Sequence, residues 1–441
     1  MSTTTSPALP VQEPAPTTPG PARRHGLRAA WIMMASGWSA NQFSALLGAY
    51  RSELGLSESA VTGLFALYVV GLIPGLLVGG PLADRVGRRP VALTALALNL
   101  LSTGVLMLGA GATGWLWPGR FVTGVSAGAL LAAASAWIKE LSSTPYVPDA
   151  AAGGGTASTA STASRRAGLF VSAGFASGGL AAALIARWAP APMVTAYIPH
   201  VLLAAGALLA SLTAPETGTR RHEPSRDAKS DTDTNTNTNT DADADTGTDA
   251  DTNTNTGQRF RRGILPVAPW VFAAPSVGFV TLPGLVHGGL VYTGVATALV
   301  PGTGLLVQPL ARRVAKRHRL ATAVAGLLVV TLGFGAAALA AGAGNAVLAL
   351  VAAVILGAGY GFVLTYGLTE VAALAPPHRL ARLTAYFWTA AYVGMFAPYV
   401  VTLLSGAVPP PALLGAAAVL AALSCVLLIT LHARRPSTPR G

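Results

Sequence analysis

Gly80-Pro81-Leu82-Ala83-Asp84-Arg85-Val86-Gly87-Arg88-Arg89 places four charged residues between two long uncharged stretches. Residues 61–79 before this segment and residues 90–118 after it contain no Asp, Glu, Lys or Arg. Each stretch is apolar and long enough, as a helix, to cross the hydrocarbon core of a membrane. The segment therefore predicts a tight turn between two membrane-spanning helices, and its arginines mark that face of the protein as cytoplasmic.

The composition of the whole chain is that of a polytopic membrane protein. Of its 441 residues, 52% are hydrophobic and only 10% are charged, whereas soluble domains contain about 25% charged residues. The net charge of +12 does not indicate nucleic-acid binding, because the basic residues lie in short segments between apolar runs. The single cysteine excludes an intrachain disulfide, and the sequence shows no phosphate-binding loop and no metal-ligand cluster. We expect no enzyme activity, no cofactor, no metal and no nucleic-acid partner.

Apolar runs predict twelve spans, separated in places by short breaks that carry Pro, Gly or Asn. We number these spans in chain order. They are expected near residues 29–50, 61–80, 90–111, 119–140, 166–187, 194–213, 264–285, 290–310, 320–342, 346–371, 382–405 and 411–432.

The distribution of Lys and Arg supports twelve spans. With the N-terminus inside the cell, 26 of the 29 basic residues fall in segments that this topology places in the cytoplasm. A different number of spans in either half would scramble that segregation. We therefore expect a multi-pass protein of the cell membrane with both termini in the cytoplasm.

The spacing in the opening segment resembles the loop between helices 2 and 3 of the major facilitator superfamily, whose motif reads roughly Gly-x-Leu-Ala-Asp-Arg-x-Gly-Arg-Arg/Lys. Every named position matches. A basic loop that only obeys the positive-inside rule would explain the arginines but not the spacing of the other residues. By resemblance, the candidate gating residues are Gly80, Asp84, Arg85, Gly87, Arg88 and Arg89.

Residues 81–89 recur as residues 309–317, with Arg312 in place of Asp84 and Ala315 in place of Gly87. Each copy follows the second span of its half, as expected for two six-helix repeats. The resemblance implies an all-α membrane protein with twelve transmembrane helices in two pseudo-symmetric six-helix bundles.

This architecture divides the chain into five parts. Low-complexity composition predicts disorder in the N-terminus, in the Thr/Asn/Asp-rich linker and in the Ser/Thr/Ala-rich stretch from Ser142 to Ser164. The expected parts are a cytoplasmic N-terminus at 1–28, a first bundle at 29–216, a cytoplasmic linker at 217–262, a second bundle at 263–432 and a cytoplasmic tail at 433–441.

The resemblance places Asp84 at the cytoplasmic end of span 2, facing the start of span 11 in the other half. A carboxylate at a helix N-terminus gains about 0.3–1 kcal/mol from the helix dipole, and Arg379 and Arg382 lie near that helix start. Because this gating contact requires a closed cytoplasmic side, it would favour the outward-facing state. The alternative is a solvated loop acid. In the second copy Arg312 would face Arg165 and Arg166, so we predict that only one half holds the gate.

Arg120 begins an Arg-x-x-x-Gly-x-x-x-Gly pattern with Gly124 and Gly128 that resembles the helix 4 motif of the same superfamily. Spacings of four place the three residues on one helical face, and the glycines permit close helix packing. An intramembrane Arg is costly unless it faces water or a partner. Arg120 is therefore a candidate for binding substrate or tuning a proton site, unless it snorkels to the outer interface.

Other candidates for the cavity are Asn41 and Gln42 in span 1, and Tyr360 and Glu370 in span 10. The two amides could bind substrate or join helices through hydrogen bonds. Tyr360 and Glu370 accompany further aromatic residues of spans 10 and 11, which could line an apolar cavity or anchor the membrane interface. Residues 214–217, Ala-Pro-Glu-Thr, resemble the exit of helix 6 and predict only a helix end.

The resemblance implies a secondary transporter that works by alternating access, binds a small-molecule substrate, lies in the lipid bilayer and is a monomer. A Gly-rich segment at residues 174–179 weakly resembles the helix 5 motif of drug antiporters, which favours efflux. Proton coupling is an expectation from the family, because none of the 17 acidic residues lies near the middle of a span. The alternatives are a facilitator or importer of a small metabolite, and a membrane sensor that no longer transports.

Overall fold

The computed structural model describes residues 21–142, 156–217, 256–374 and 380–433. All regular secondary structure within these ranges is helical, which confirms the predicted all-α fold class. The disorder expected in the Thr/Asn/Asp repeat and in residues 1–20 of the N-terminus concerns residues outside these ranges. Residues 21–28, also expected to be disordered, already form the start of the first helix.

The N-terminal half contains spans 1 to 6. Span 1 is interrupted at Leu46, and span 6 is a short helix followed by a longer one. The helices run Pro21–Ala45 with Leu47–Leu54, Glu58–Val86, Arg88–Leu108, Leu116–Leu141, Thr156–Trp188, and Pro192–Thr195 with Ile198–Ser211.

The C-terminal half contains spans 7 to 12. Span 7 is irregular, because Pro275 cannot donate a backbone hydrogen bond to the preceding turn and a π-helical segment follows it. The helices run Trp270–Ser276, Val277–Thr281 and Leu282–Leu285 for span 7, then Leu290–Arg317, Arg319–Ala343, Ala346–Leu374, Leu380–Val393 with Ala397–Leu404, and Pro410–Ala433.

Ten helical segments of the described chain are long and apolar enough to cross a membrane, and they correspond to spans 2–6 and 8–12. Span 7 forms a shorter apolar segment, Trp270–Leu285. Span 1 is less apolar because several of its buried positions are polar. They are Ser36, Ser39, Asn41, Gln42 and Ser44. The twelve predicted spans thus map onto twelve helical regions.

The turn in the opening segment is shorter than predicted. Span 2 remains helical through Val86 and span 3 begins at Arg88, so only Gly87 lies between them. Gly87 has φ +118°, a conformation that side-chain-bearing residues rarely adopt. Gly80 and Asp84 therefore lie in the last turns of span 2 rather than in a loop.

Two segments predicted to be disordered are partly helical. Span 5 already begins at Thr156, inside the low-complexity stretch, where alanines favour a helix. A helix also covers residues 256–263 at the end of the predicted linker. Its Phe260 packs against the core of the C-terminal half, which supplies the tertiary contact that a short helix needs.

Glycines allow spans 2 and 4 to lie almost backbone to backbone. Gly71 and Gly75 of span 2, and Gly124 and Gly128 of span 4, all face the partner helix. A Cβ atom at any of them would overlap a carbonyl oxygen of that helix. Gly124 and Gly128 thus form a helix contact inside the N-terminal half rather than part of a cavity wall.

A buried polar network joins spans 3, 4 and 6. Asn99 donates to the Ser126 hydroxyl at 2.8 Å, and Thr103 shares a hydrogen bond of 2.9 Å with Nδ1 of His200. These residues are fully buried. In a membrane, an apolar side chain gains little from moving out of lipid into a helix interface, so hydrogen bonds of this kind help to hold the helices together.

Candidate functional site

The opening segment forms an ion-pair network at one end of the molecule, which we call the basic end because residues 84–89 and 312–319 both lie there. Arg88 contacts Asp84 at 2.5 Å and Glu140, at the end of span 4, at 3.1 Å. Glu140 also accepts a hydrogen bond from Thr217 after span 6. Arg88 therefore links span 2 to span 4, and Glu140 extends the network to the exit of span 6.

Glu216 caps the start of span 3. Its carboxylate accepts hydrogen bonds from the backbone N–H groups of Arg88 at 2.8 Å and Arg89 at 3.0 Å. A carboxylate at a helix N-terminus satisfies free donors and meets the positive end of the dipole. A Cβ on Gly87 would lie 2.7 Å from Oε2 of Glu216 and would displace that carboxylate from the cap, while the positive φ itself favours glycine. The prediction that residues 214–217 are only a helix end was incomplete.

Among the described residues, Asp84 makes no contact with the start of span 11. Asp84 pairs with Arg88, its neighbour one helical turn later, and its side chain is 62% exposed. Arg382 contacts Tyr386 of its own helix, through a hydrogen bond of 3.1 Å. Arg379 and the side chains of Arg165 and Arg166 fall outside what the structure describes.

Glu370 also lies at the basic end. It pairs with Arg319, the first residue of span 9, at 3.7 Å, and it lies beside Gly263. Tyr366, one turn earlier, donates to the Gly263 carbonyl at 2.9 Å. The expected cavity role of Glu370 is thus replaced by a contact within the C-terminal half, because the end of span 10 packs against spans 7 and 9.

The two halves meet through an apolar layer. Phe65 of span 2 and Phe279 in the π-helical segment of span 7 pack edge to face, with ring centroids 6.2 Å apart. The buried charged residues of the described chain are Arg120 and Glu370, and Arg120 lies against Tyr68 of this layer. Its buried members are Ala40, Phe65, Tyr68, Val69, Leu72 and Ala127 from the N-terminal half, and Phe279, Ala296, Val300, Ala353, Tyr392 and Met395 from the C-terminal half.

An aromatic cluster of Phe272, Tyr360, Trp388 and Tyr392 borders this layer on the side of the C-terminal half. Phe272 stacks on Tyr392 with centroids 4.4 Å apart and also lies 6.1 Å from the rings of Tyr360 and Trp388. Phe272, Tyr360 and Trp388 are only partly buried. This arrangement brings Tyr360 together with the aromatic residues of span 11.

Asn41 bridges the halves. Its amide nitrogen donates to the Phe175 carbonyl of span 5 at 2.7 Å and to the Thr297 carbonyl of span 8 at 3.1 Å. The structure thus shows the helix–helix alternative for Asn41. Gln42 differs, because its side-chain nitrogen and oxygen are both buried without a partner among the described residues. An unsatisfied buried amide costs about 1–3 kcal/mol, so Gln42 stays a candidate for binding a polar group.

Arg120 is fully buried in the N-terminal half. Its guanidinium carbon lies 4.1 Å from the ring centroid of Phe43 and 4.8 Å from that of Tyr68. Its Nε donates to the Leu64 carbonyl at 3.3 Å, while its two terminal nitrogens have no partner in the described chain. Desolvated cation–π contacts of about 2 kcal/mol offset part of the cost of burial. The snorkelling alternative does not describe this geometry.

Two contacts lie at the end opposite the basic end. Within the N-terminal half, the hydroxyl groups of Tyr50 in span 1 and Tyr197 in span 6 share a hydrogen bond. Across the halves, the ring of Tyr399 in span 11 packs over Gly63 near the start of span 2. The two halves therefore touch at this end of the molecule.

The roles of several of these residues were not predicted from the sequence. Glu140 and Glu216 lie near helix ends, and only the basic motif they meet could have indicated a role for them. Phe272 and Phe279 looked like ordinary apolar residues of span 7. The signal available in the sequence was Pro275, because the helix becomes irregular after it and that irregular part presents Phe279 to the other half.

Comparisons with curated proteins find local similarity to multidrug transporters. The Multidrug resistance protein MdtL of Klebsiella pneumoniae (strain 342) is 32% identical over 88 residues. The protein of the same name from Escherichia coli O139:H28 (strain E24377A / ETEC) is 33% identical over 89 residues. Each alignment covers 20% of this chain and 22% of the relative, so the similarity spans about a fifth of the length of these relatives.

Solved structures with the same fold cover nearly the whole chain. A POT family transporter in complex with 5-aminolevulinic acid has a TM-score of 0.71 at 13% identity, covering 94% of this chain and 96% of that one. A D-xylose-proton symporter has a TM-score of 0.61 at 17% identity, covering 91% and 97%. At these identities the likeness shows the fold alone.

A sequence profile described as the Major Facilitator Superfamily matches residues 29–398, which include both copies of the repeated turn. This match agrees with the helical architecture and with the residues of the opening segment. The chain belongs to the Major Facilitator Superfamily.

Proposed function

We propose that this protein exports a small, largely apolar or amphipathic organic molecule by alternating access, in exchange for protons. Membership of the superfamily supports secondary transport in general. The name of the MdtL relatives supports export as the direction. The basic end would face the cytoplasm, since basic residues favour that side of a membrane.

The observation that carries the substrate class is the character of the surface between the halves. The contact layer and the aromatic cluster present rings and aliphatic side chains, and among the buried residues of the described chain only Arg120 and Glu370 are charged. Binding sites of this composition select apolar ligands, and a few polar groups set their orientation. Gln42 and Arg120 are the proposed polar groups, because both keep unpartnered buried atoms.

The conformation supports alternating access. Tyr399 packs over Gly63 across the halves at the opposite end, while Asp84 is exposed and pairs with Arg88 among the described residues. With the basic end in the cytoplasm, these contacts favour the inward-facing state. Opening the other end would separate the contact layer and engage Asp84 with span 11.

A facilitator that does not couple to protons is the second candidate. The acids at the ends of spans 4 and 10, Glu140 and Glu370, are both in ion pairs at the basic end. The contact layer between the halves contains no acid among the described residues. A proton-coupled mechanism needs a titratable group that changes exposure between states.

Flux measurements in proteoliposomes test the proposed function. Apolar and amphipathic dyes are first screened for thermal stabilisation of the purified protein, since a ligand of the folded state raises its apparent stability. The best ligand is then followed across vesicles with and without a pH gradient. We expect flux that a gradient drives outward against concentration. Flux that ignores the gradient would favour the facilitator, and stabilisation without any flux would favour a sensor.

A matched pair of tyrosines in span 11 tests the location of the site. Tyr392→Ala removes a ring stacked on Phe272, and we expect about tenfold weaker ligand binding, or about 1.4 kcal/mol. Tyr386→Ala removes an exposed ring whose recorded partner is Arg382, and it should leave the affinity unchanged. Equal effects on the dissociation constant would move the site away from the aromatic cluster.

A further inference from the structure

The last two turns of span 8 carry four exposed basic residues, Arg312, Arg313, Lys316 and Arg317, which we call the span 8 basic patch. None of them pairs with an acid in the part of the chain that the structure describes. Arg312 donates only to the Gln308 side chain, at 3.1 Å. The patch therefore concentrates positive charge without an internal counter-charge.

The patch continues a stripe of leucines that faces outward. Leu306 and Leu310 are 79% and 52% exposed. Spacings of four, three and four residues place Leu306, Leu310, Arg313 and Arg317 on one face of the helix. Exposed leucines on a membrane span contact acyl chains, and the two arginines follow about 5–15 Å further along the axis. In a bilayer whose acyl chains cover the leucines, the arginines would lie at the level of the lipid headgroups.

A second basic element lies at the same end of the C-terminal half. In the helix at 256–263, Arg259, Arg261 and Arg262 are exposed while Phe260 packs inward. Gly263, which ends this helix, lies beside Glu370, and Glu370 pairs with Arg319 next to the patch. In this helix the apolar Phe260 thus contacts the protein, while the three arginines face the surroundings.

We propose that the span 8 basic patch binds the phosphate groups of anionic phospholipids in the leaflet at the basic end. The leucine stripe favours a lipid over a soluble anion or an acidic segment of the chain, because acyl chains would cover the leucines below the bound headgroup. Basic clusters at membrane level attract anionic lipids in this way. The inference does not depend on the substrate or the direction of transport.

Native mass spectrometry of the full-length protein tests the proposal, with dioleoylphosphatidylglycerol as the probe and dioleoylphosphatidylcholine as the neutral lipid. We expect preferential retention of phosphatidylglycerol. Substituting Arg312, Arg313, Lys316 and Arg317 together by Gln should weaken that binding at least tenfold. The variant should unfold at the wild-type temperature in phosphatidylcholine alone, which shows that it is folded. Unchanged retention in this folded variant would overturn the proposal.

Two lysines provide a matched control. Lys316→Gln should weaken phosphatidylglycerol binding several-fold, whereas Lys139→Gln, at the exposed end of span 4, should not change it. Equal losses would show that total charge, not the patch, determines binding, and would contradict the proposal.

Two further arms separate the lipid from other anions. Glycerol 1-phosphate at the same concentration should not displace the lipid, and displacement would assign the patch to free phosphate. Deleting residues 231–254, the Asp-rich part of the linker, should leave lipid binding unchanged. A tenfold gain on deletion would make the linker the natural occupant and overturn the lipid assignment.

Discussion

In the N-terminal half, Arg88 contacts carboxylates at the ends of spans 2 and 4. In the C-terminal half the corresponding residue of the repeat, Lys316, is exposed and has no acidic partner in the described chain. The same stretch of sequence thus performs two tasks. In the first copy it ties helix ends together, and in the second it presents charge to the surroundings.

The two turns have one type of ion pair in common. Arg88 pairs with Glu140 near the end of span 4, and Arg319 pairs with Glu370 near the end of span 10. Both pairs join the start of the third helix of a half to the end of the fourth. The additions in the first copy are Asp84, which could reach the other half, and Glu216, which caps span 3. The comparison indicates that the shared pair holds each bundle, and that among the described residues Asp84 and Glu216 add further contacts to the first copy.

The largest effect should come from removing the glycine that the first turn requires. Gly87→Ala places a side chain at φ +118° and against the Glu216 carboxylate. Backbone strain of this kind costs about 1–3 kcal/mol, and the displaced cap adds to it. We expect the apparent unfolding temperature in detergent to fall by several degrees.

The matched substitution in the second copy is Ala315→Gly. Ala315 is buried within the helix of span 8, so glycine there costs only about 0.5–1 kcal/mol. If the two variants lost equal stability, the first turn would not be the more constrained of the two.

The sequence predicted the architecture because each membrane helix can be recognised from its own apolar run. Twelve apolar runs and the charges between them determine the spans and their order. Residues 81–89 also revealed the repeat, since each copy lies within a few helical turns. The length of the turn was harder, because the helix of span 2 continues past its apolar run to Val86.

The site was predicted less well because its contacts join distant parts of the chain. Glu216 caps a helix that begins 128 residues earlier, and nothing near it in sequence indicates that partner. Arg120 was recognisable as a buried charge, but its partners Phe43 and Tyr68 come from spans 1 and 2. Glu370 was placed with the aromatic residues because both lie on span 10, although they face different neighbours.

Substitutions in the two copies should also differ, by a smaller amount, in their effect on gating. Asp84→Asn removes the charge that would meet the start of span 11 when the basic end closes. A helix-dipole contact of about 0.3–1 kcal/mol corresponds to a population shift of about two- to fivefold. We expect the basic end to be open more often, measured as faster labelling of Leu131→Cys, a partly buried residue beside the contact layer, in a Cys425→Ser background.

Arg312→Gln is the control, because Arg312 takes the place of Asp84 in the second copy and carries the opposite charge. It should leave the labelling rate unchanged. Equal labelling in wild type and Asp84→Asn would mean that Asp84 serves only the network of its own half.

The smallest effect concerns the pair that both copies retain. Double-mutant cycles with Arg88→Gln and Glu140→Gln, and with Arg319→Gln and Glu370→Gln, measure each coupling in unfolding free energy. Arg88 and Glu140 are 18% and 35% exposed and lie 3.1 Å apart, whereas Arg319 and Glu370 are 50% and 7% exposed and lie 3.7 Å apart, so the second pair is the longer one and has the more exposed arginine. Since solvent weakens exposed pairs, we expect about 1 kcal/mol in the first half and at most about 0.5 kcal/mol in the second.

Salt sharpens this last comparison. The longer pair of the C-terminal half, with its half-exposed arginine, should lose its coupling in about 1 M salt, where the Debye length is about 3 Å, while the shorter pair keeps most of its own. A C-terminal coupling as large as the N-terminal one would show that both bundles are held equally. The difference between the halves would then rest on Asp84 and Glu216 alone, since these are the contacts that the second copy lacks.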